Sequence, residues 1–212
     1  MRAALVRYLL YAIKPLGWDK CFELFSNAFE QGPEEYSEII PQFLQYAPKD
    51  KFSALQEVLK KMWERRNSKL GKAYAVIMSI FYLRGMCSEE TLMELLKDEQ
   101  LVNKGKEESF NLLANQLRFK ANVDKCLKII NNFLEQQDVL EGKVSILFMR
   151  ARPEDLREFV PIIKKVIEKP KIRGEALCYI LKYLERSTLV DPLEVFSLLE
   201  SILSEAGDDF YN

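Results

Sequence analysis

Apolar side chains recur along this chain at spacings of three and four residues. Leu177, Ile180, Leu181 and Leu184 follow the i, i+3, i+4, i+7 rule of one helix face, and Val195, Leu198, Leu199 and Ile202 repeat it. Leu92, Leu95 and Leu96 fit the same rule, as do Leu127, Ile130, Phe133 and Leu134. No alternating segment bounded by hairpin turns calls for a sheet. The β-branched run from Tyr74 to Tyr82 has strand-like composition, but it is too long for an ordinary strand and reads better as a buried helix.

Starts and stops divide this pattern. Asp191-Pro192-Leu193-Glu194 predicts an Asp cap, a proline at the first helical position and an acid in the first turn. Ser88-Glu89-Glu90 and Pro153-Glu154-Asp155 open helices with acids that complement the positive end of the dipole. Gly32-Pro33-Glu34-Glu35 combines a stop with a start, and Pro170 and Gly207 are expected to close helices. The result is six helix pairs, over 1–31, 33–66, 68–102, 105–137, 140–169 and 171–206, with a period of roughly 35 residues. Gly32, Gly71, Gly105, Gly142 and Gly174 fall where one pair hands over to the next, as expected for left-handed helix ends or close helix approaches.

Second helices share a heading. Trp18-Asp19-Lys20-Cys21, Val123-Asp124-Lys125-Cys126 and Val190-Asp191-Pro192-Leu193 each place an apolar residue and an Asp cap before an apolar stripe. Against this phasing, Pro33-Glu34-Glu35-Tyr36 through Pro41 matches Pro153-Glu154-Asp155-Leu156 through Pro161, although one opens a leading helix and the other a trailing one. Either one pair is misassigned or two helix starts have converged. In both segments the internal proline is expected to kink the helix.

Paired helices of this length, prolines at Pro41 and Pro161, and stretches such as Ile172-Arg173-Gly174-Glu175-Ala176-Leu177 resemble HEAT-like α-solenoid repeats over the whole chain. The resemblance implies an all-α, right-handed α-solenoid of about six antiparallel helix pairs, a single repeat domain. The tetratricopeptide signature is not filled in any unit. The last unit, from Asp191 to Glu200, is also similar to repeat segments near the C-termini of large bacterial STAND-type ATPases, where a helical array senses a ligand. Only the sensor role could carry over, because no nucleotide-binding motif is present. The ending at Asp208-Asp209-Phe210-Tyr211-Asn212 has no polar closing helix, and the expectation is a piece of a longer polypeptide.

With 31 basic and 32 acidic side chains the net charge is -1, so no global field draws the chain to nucleic acid or membrane. No apolar run is long enough to predict a membrane span. The opening Met1-Arg2-Ala3-Ala4-Leu5-Val6 reads as an amphipathic first helix, since Lys14, Asp19 and Lys20 follow with no small-residue cleavage site between. Cys21, Cys87, Cys126 and Cys178 each stand in an apolar stretch and are expected to be buried free thiols in a reducing cytoplasm.

Histidine is absent, which removes the commonest general base and the usual zinc ligand. No cysteine pair has metal-ligand spacing, and no glycine-rich phosphate loop occurs. Ser88-Glu89-Glu90-Thr91 reads as capping. No catalytic residue, cofactor or metal site is therefore assigned, and an enzyme would need Asp, Glu, Lys, Tyr or Cys converging from different helices.

Two basic clusters remain: Lys60, Lys61, Arg65, Arg66, Lys69 and Lys72 around Glu64, and Lys164, Lys165, Lys169, Lys171 and Arg173 around Glu168. They would carry an alternative function, nucleic-acid binding by a phosphate-tracking stripe. The competing explanation is dipole complementation at helix C-termini. An acidic counterpart runs through Glu89, Glu90, Glu94, Asp98 and Glu99. Trp63 follows Leu55, Val58, Leu59 and Met62 in one stripe and reads as core. A solenoid leaves a broad face unused by its own core. The expected function is thus a protein-binding or scaffold module, its partner another protein or another domain of the same parent.

Overall fold

The computed structural model describes residues 2–134 and 143–206. Twelve α-helices and no strand occur among the described residues. The chain divides into two compact units, 1–109 and 110–212, with the boundary inside one helix.

The first unit contains α1 (Arg2–Leu16), α2 (Trp18–Gln31), α3 (Ile40–Leu44), α4 (Gln56–Glu64), α5 (Lys69–Leu83), α6 (Glu89–Lys97) and the start of α7 (Asn103–Gln116). Helix α1 packs on α2 and α3, α3 packs on α5, and α5 also carries α4 and α6. Surrounded on several sides, α5 buries Leu70, Ala73, Ala75, Ile77, Met78, Phe81 and Tyr82. That explains its strand-like composition: an element buried nearly all round has no polar face to reveal its period. The buried Ser79 hydroxyl donates to the Ala75 carbonyl at 2.9 Å. The aromatic core stacks Trp18 and Phe25 on Phe43, with ring centroids 4.9 and 4.7 Å apart. Each such pair adds about 0.5–1.5 kcal/mol beyond burial alone.

The second unit holds α8 (Val123–Phe133), α9 (Ser145–Arg150), α10 (Leu156–Ile167), α11 (Pro170–Ser187) and α12 (Pro192–Ala206). Helix α9 packs on α11, α10 packs on α8, α11 and α12, and α11 packs on α12. Phe148, Phe159 and Tyr183 form its centre, all fully buried. The Tyr183 hydroxyl donates to the Arg152 carbonyl at 3.1 Å.

In both units, contacts recur across 32 to 38 residues. In the first, Arg84 donates to the Ala47 carbonyl 37 residues back, and Lys51 pairs with Asp19, 32 residues back. In the second, Arg186 donates to the Phe148 carbonyl across 38 residues, and Arg157 pairs with Asp191 across 34.

Several local expectations are corrected. Pro41 does not kink a continuous helix: residues Pro33–Tyr36 form a 3-10 turn, and the α-helix restarts at Ile40. A proline there has no N–H for the Ser37 carbonyl and collides with that turn, so the helix begins anew with the proline in its first turn. Helix α10, by contrast, continues through Pro161. Pro170 opens α11. Asp191 does cap α12, accepting from the Glu194 N–H at 3.3 Å, but Asp19 and Asp124 lie one residue inside their helices. The left-handed glycines among the described residues are Gly17 and Gly85, neither of them at an expected junction between pairs. Gly174 has open space around it, while Gly142 and Gly207 lie outside the described residues. Cys178 is exposed and Cys87 half-buried; only Cys21 and Cys126 are buried.

Candidate functional site

The first basic cluster is divided by its contacts. Lys61 reaches Glu30, with Glu57 at 3.5 Å. Arg66 donates to Asp98 at 3.0 Å, to Gln100 and to the Trp63 carbonyl, and its guanidinium lies 4.2 Å from the Trp63 ring centroid. Lys72 stands 4.0 Å from Glu108. Lys60, Arg65 and Lys69 are exposed, with no ion-pair partner among the described residues. In the second cluster Lys169 donates to the Leu134 carbonyl, Lys165 is half-buried and Lys164 exposed. The side chains of Lys171 and Arg173 lie outside the described residues.

A groove in the first unit gathers more chemistry than either cluster. Helices α4 and α6 form its walls and α5 its floor, enclosing about 1020 Å³. Trp63, Tyr74, Met78, Cys87 and Leu95 supply its apolar surface. The Trp63 and Tyr74 rings are 5.7 Å apart and tilted by 46°. Thus Trp63 is not a core residue; it lies one position beyond the buried stripe of Val58, Leu59 and Met62, and is half-buried at the groove.

Burial pushes the Cys87 thiol up to about 11, and its Sγ lies 3.5 Å from the Met78 carbonyl. A protonated thiol in these surroundings is packing surface, not a nucleophile. Burial also raises the Tyr74 hydroxyl.

The polar rim is predominantly acidic: Glu57, Glu64, Glu94 and Asp98 against Lys60 and Lys61. Glu57 is offset by Lys61, and Asp98 by Arg66. Glu64 and Glu94 have no partner among the described residues. One end of the groove is fixed by backbone geometry. The Arg66 carbonyl accepts from the Val102 N–H at 3.0 Å while the Arg66 side chain holds Asp98, the residue that ends α6. These bonds bring the C-terminal ends of α4 and α6 together, so both helix dipoles present their negative ends there.

No family model, curated protein or solved structure matches the chain. Among the described residues no cluster of three or more Cys, Asp or Glu side chains could hold a metal ion, and no helix is long and apolar enough to cross a membrane.

The sequence identified part of this site. Glu94 and Asp98 belong to its acidic counterpart. Glu64, which interrupts the basic cluster, belongs to the groove rim. The groove itself depends on how α4 and α6 are spaced on α5, which no local pattern records.

Proposed function

We propose that the chain is a non-enzymatic protein-binding module built as a HEAT-like, right-handed α-solenoid, with the α4–α6 groove as its binding surface. The groove carries the reading: half-buried tryptophan and tyrosine lie open between two helix walls, over a buried methionine. Apolar aromatic surface with a polar rim is the composition of an interaction hot spot. Support for the array comes from alternate-helix packing within each unit and from contacts recurring across 32 to 38 residues. Such an array leaves groove surface that its own core does not use.

The nucleic-acid alternative draws less support. Arg66 and Lys61, at the centre of the first cluster, are held by Asp98 and by Glu30. Phosphate contacts from these two would require breaking those pairs first.

A photo-crosslinking side chain tests the assignment in the native cell. Placed at Thr91, exposed on the groove wall, it should capture a protein. Placed at Asn67, exposed outside the groove, it should not. Equal capture at both positions, or capture of nucleic acid alone, would remove the groove from consideration.

A further inference from the structure

We infer that the groove occupant is a basic amphipathic helix of another protein, seated apolar face down on Trp63 and Tyr74 with lysine or arginine directed at Glu64 and Glu94. This rests on the protein-binding reading above and adds the class of partner.

The helical form follows from the walls. Both are α-helices whose backbone groups are already paired internally, and the described residues contain no strand edge. An extended peptide would find no ladder to join, and its N–H and C=O groups would be desolvated without partners. A helix satisfies its own backbone and presents side chains at i, i+3, i+4 and i+7 to a groove between two other helices.

The sign of charge follows from the rim. Once Lys61 and Arg66 are assigned to their carboxylates, the charges left unpaired are Glu64, Glu94 and the single Lys60. Helices α4 and α6 add the negative ends of their dipoles where Arg66 joins them. A helix with an acidic flank would face repulsion from Glu64 and Glu94, whereas a basic flank would gain both on-rate and register.

The test uses the full chain and three synthetic helices of about 14 residues, four turns. All carry one leucine and phenylalanine stripe; the flanking positions are lysine, glutamine or glutamate. The readout is tryptophan emission, with Trp63→Phe as the control that must silence it, since Trp18 is buried in a separate aromatic stack. The lysine peptide should bind about tenfold tighter than the glutamine peptide, the glutamate peptide weakest, and Glu64→Gln with Glu94→Gln should erase that preference. Equal or inverted affinities overturn the basic-partner inference and leave the groove as a binding site. Emission unmoved by all three peptides overturns both.

Discussion

The carbonyl oxygen of Arg66 lies 1.8 Å from the point where a β-carbon on Gly71 would stand. The missing side chain is therefore what allows the chain leaving α4 to fold back against the first turn of α5. The same carbonyl accepts from Val102, and the same residue's guanidinium holds Asp98. One glycine thus permits the junction that brings the ends of α4 and α6 together. Gly105 is similarly constrained, with Gly71 oxygen and Lys72 Cα each 3.2 Å from its virtual β-carbon.

Alanine at position 71 should accordingly destabilise. In an open helix, glycine to alanine gains up to about 1 kcal/mol. Here the added methyl group meets backbone, and overpacking of this kind costs about 1–3 kcal/mol. Gly174, within α11 and with nothing near its virtual β-carbon, provides the opposite case. Urea midpoints should fall for Gly71→Ala and rise for Gly174→Ala. A Gly71→Ala midpoint at or above the parent's would show that the junction yields freely.

Arg84 and Arg186 perform equivalent tasks in the two units. Arg84 closes α5 and donates to the Gln45 and Ala47 carbonyls at the end of α3. Arg186, near the end of α11, donates to the Phe148 and Ala151 carbonyls at the end of α9. Arg84 is half-buried, so Arg84→Met removes the donor from part-buried carbonyls and should cost about 1–3 kcal/mol. Arg186 is more exposed, and water replaces its bonds, so Arg186→Met should cost about 0.5–1.5 kcal/mol. Chemical denaturation of the two variants decides the order.

These arginines mark the limit of what the sequence made legible. Periodicity located the helices because an amphipathic stripe is a local property. The stripe of Leu198 and Ile202 is buried in α12 as expected. The strand-like run in α5 and the break before Ile40 were harder, since full burial erases the polar face and a proline both ends and begins helices. The groove was least legible. Trp63 directly follows buried Met62 and reads as an extension of its stripe, but it lies at the edge of the buried face, where the groove between α4 and α6 leaves the indole half-buried. Likewise, Lys61 and Arg66 look free in sequence because Glu30 and Asp98 lie 31 and 32 residues away.

Stability should respond to acid through Asp191. The Arg157 guanidinium, and then the Glu194 N–H, hold its carboxyl below the ordinary 3.8. A depressed folded-state value means the stabilisation is complete above the unfolded value and disappears as pH falls through the folded one. Asparagine caps a helix about as well but carries no charge. Wild type should therefore exceed Asp191→Asn in thermal midpoint at neutral pH, and the two curves should converge below pH 3.8. Parallel curves across that range would show that the charge plays no part.

The cationic residues around Glu64 should separate into two groups under charge reversal. Lys69 and Arg65 are exposed and unpaired among the described residues, so glutamate at either position should shift stability by no more than about 0.5 kcal/mol. Arg66 is different. Its side chain and that of Asp98 are 20% and 19% exposed, and it also covers the Trp63 ring. Arg66→Glu places two carboxylates together in a half-buried site, and a cost of about 1.5–3 kcal/mol follows from removing the charged hydrogen bonds alone. Because Arg66 links the ends of α4 and α6, the same change should shift Trp63 emission even where the protein remains folded. A phosphate-binding stripe predicts the reverse ranking in function. Arg65→Glu and Lys69→Glu would then weaken RNA or DNA retention steeply, each making the salt dependence shallower by about one counterion. Equilibrium unfolding and filter binding on the same three variants distinguish a structural latch from a nucleic-acid contact.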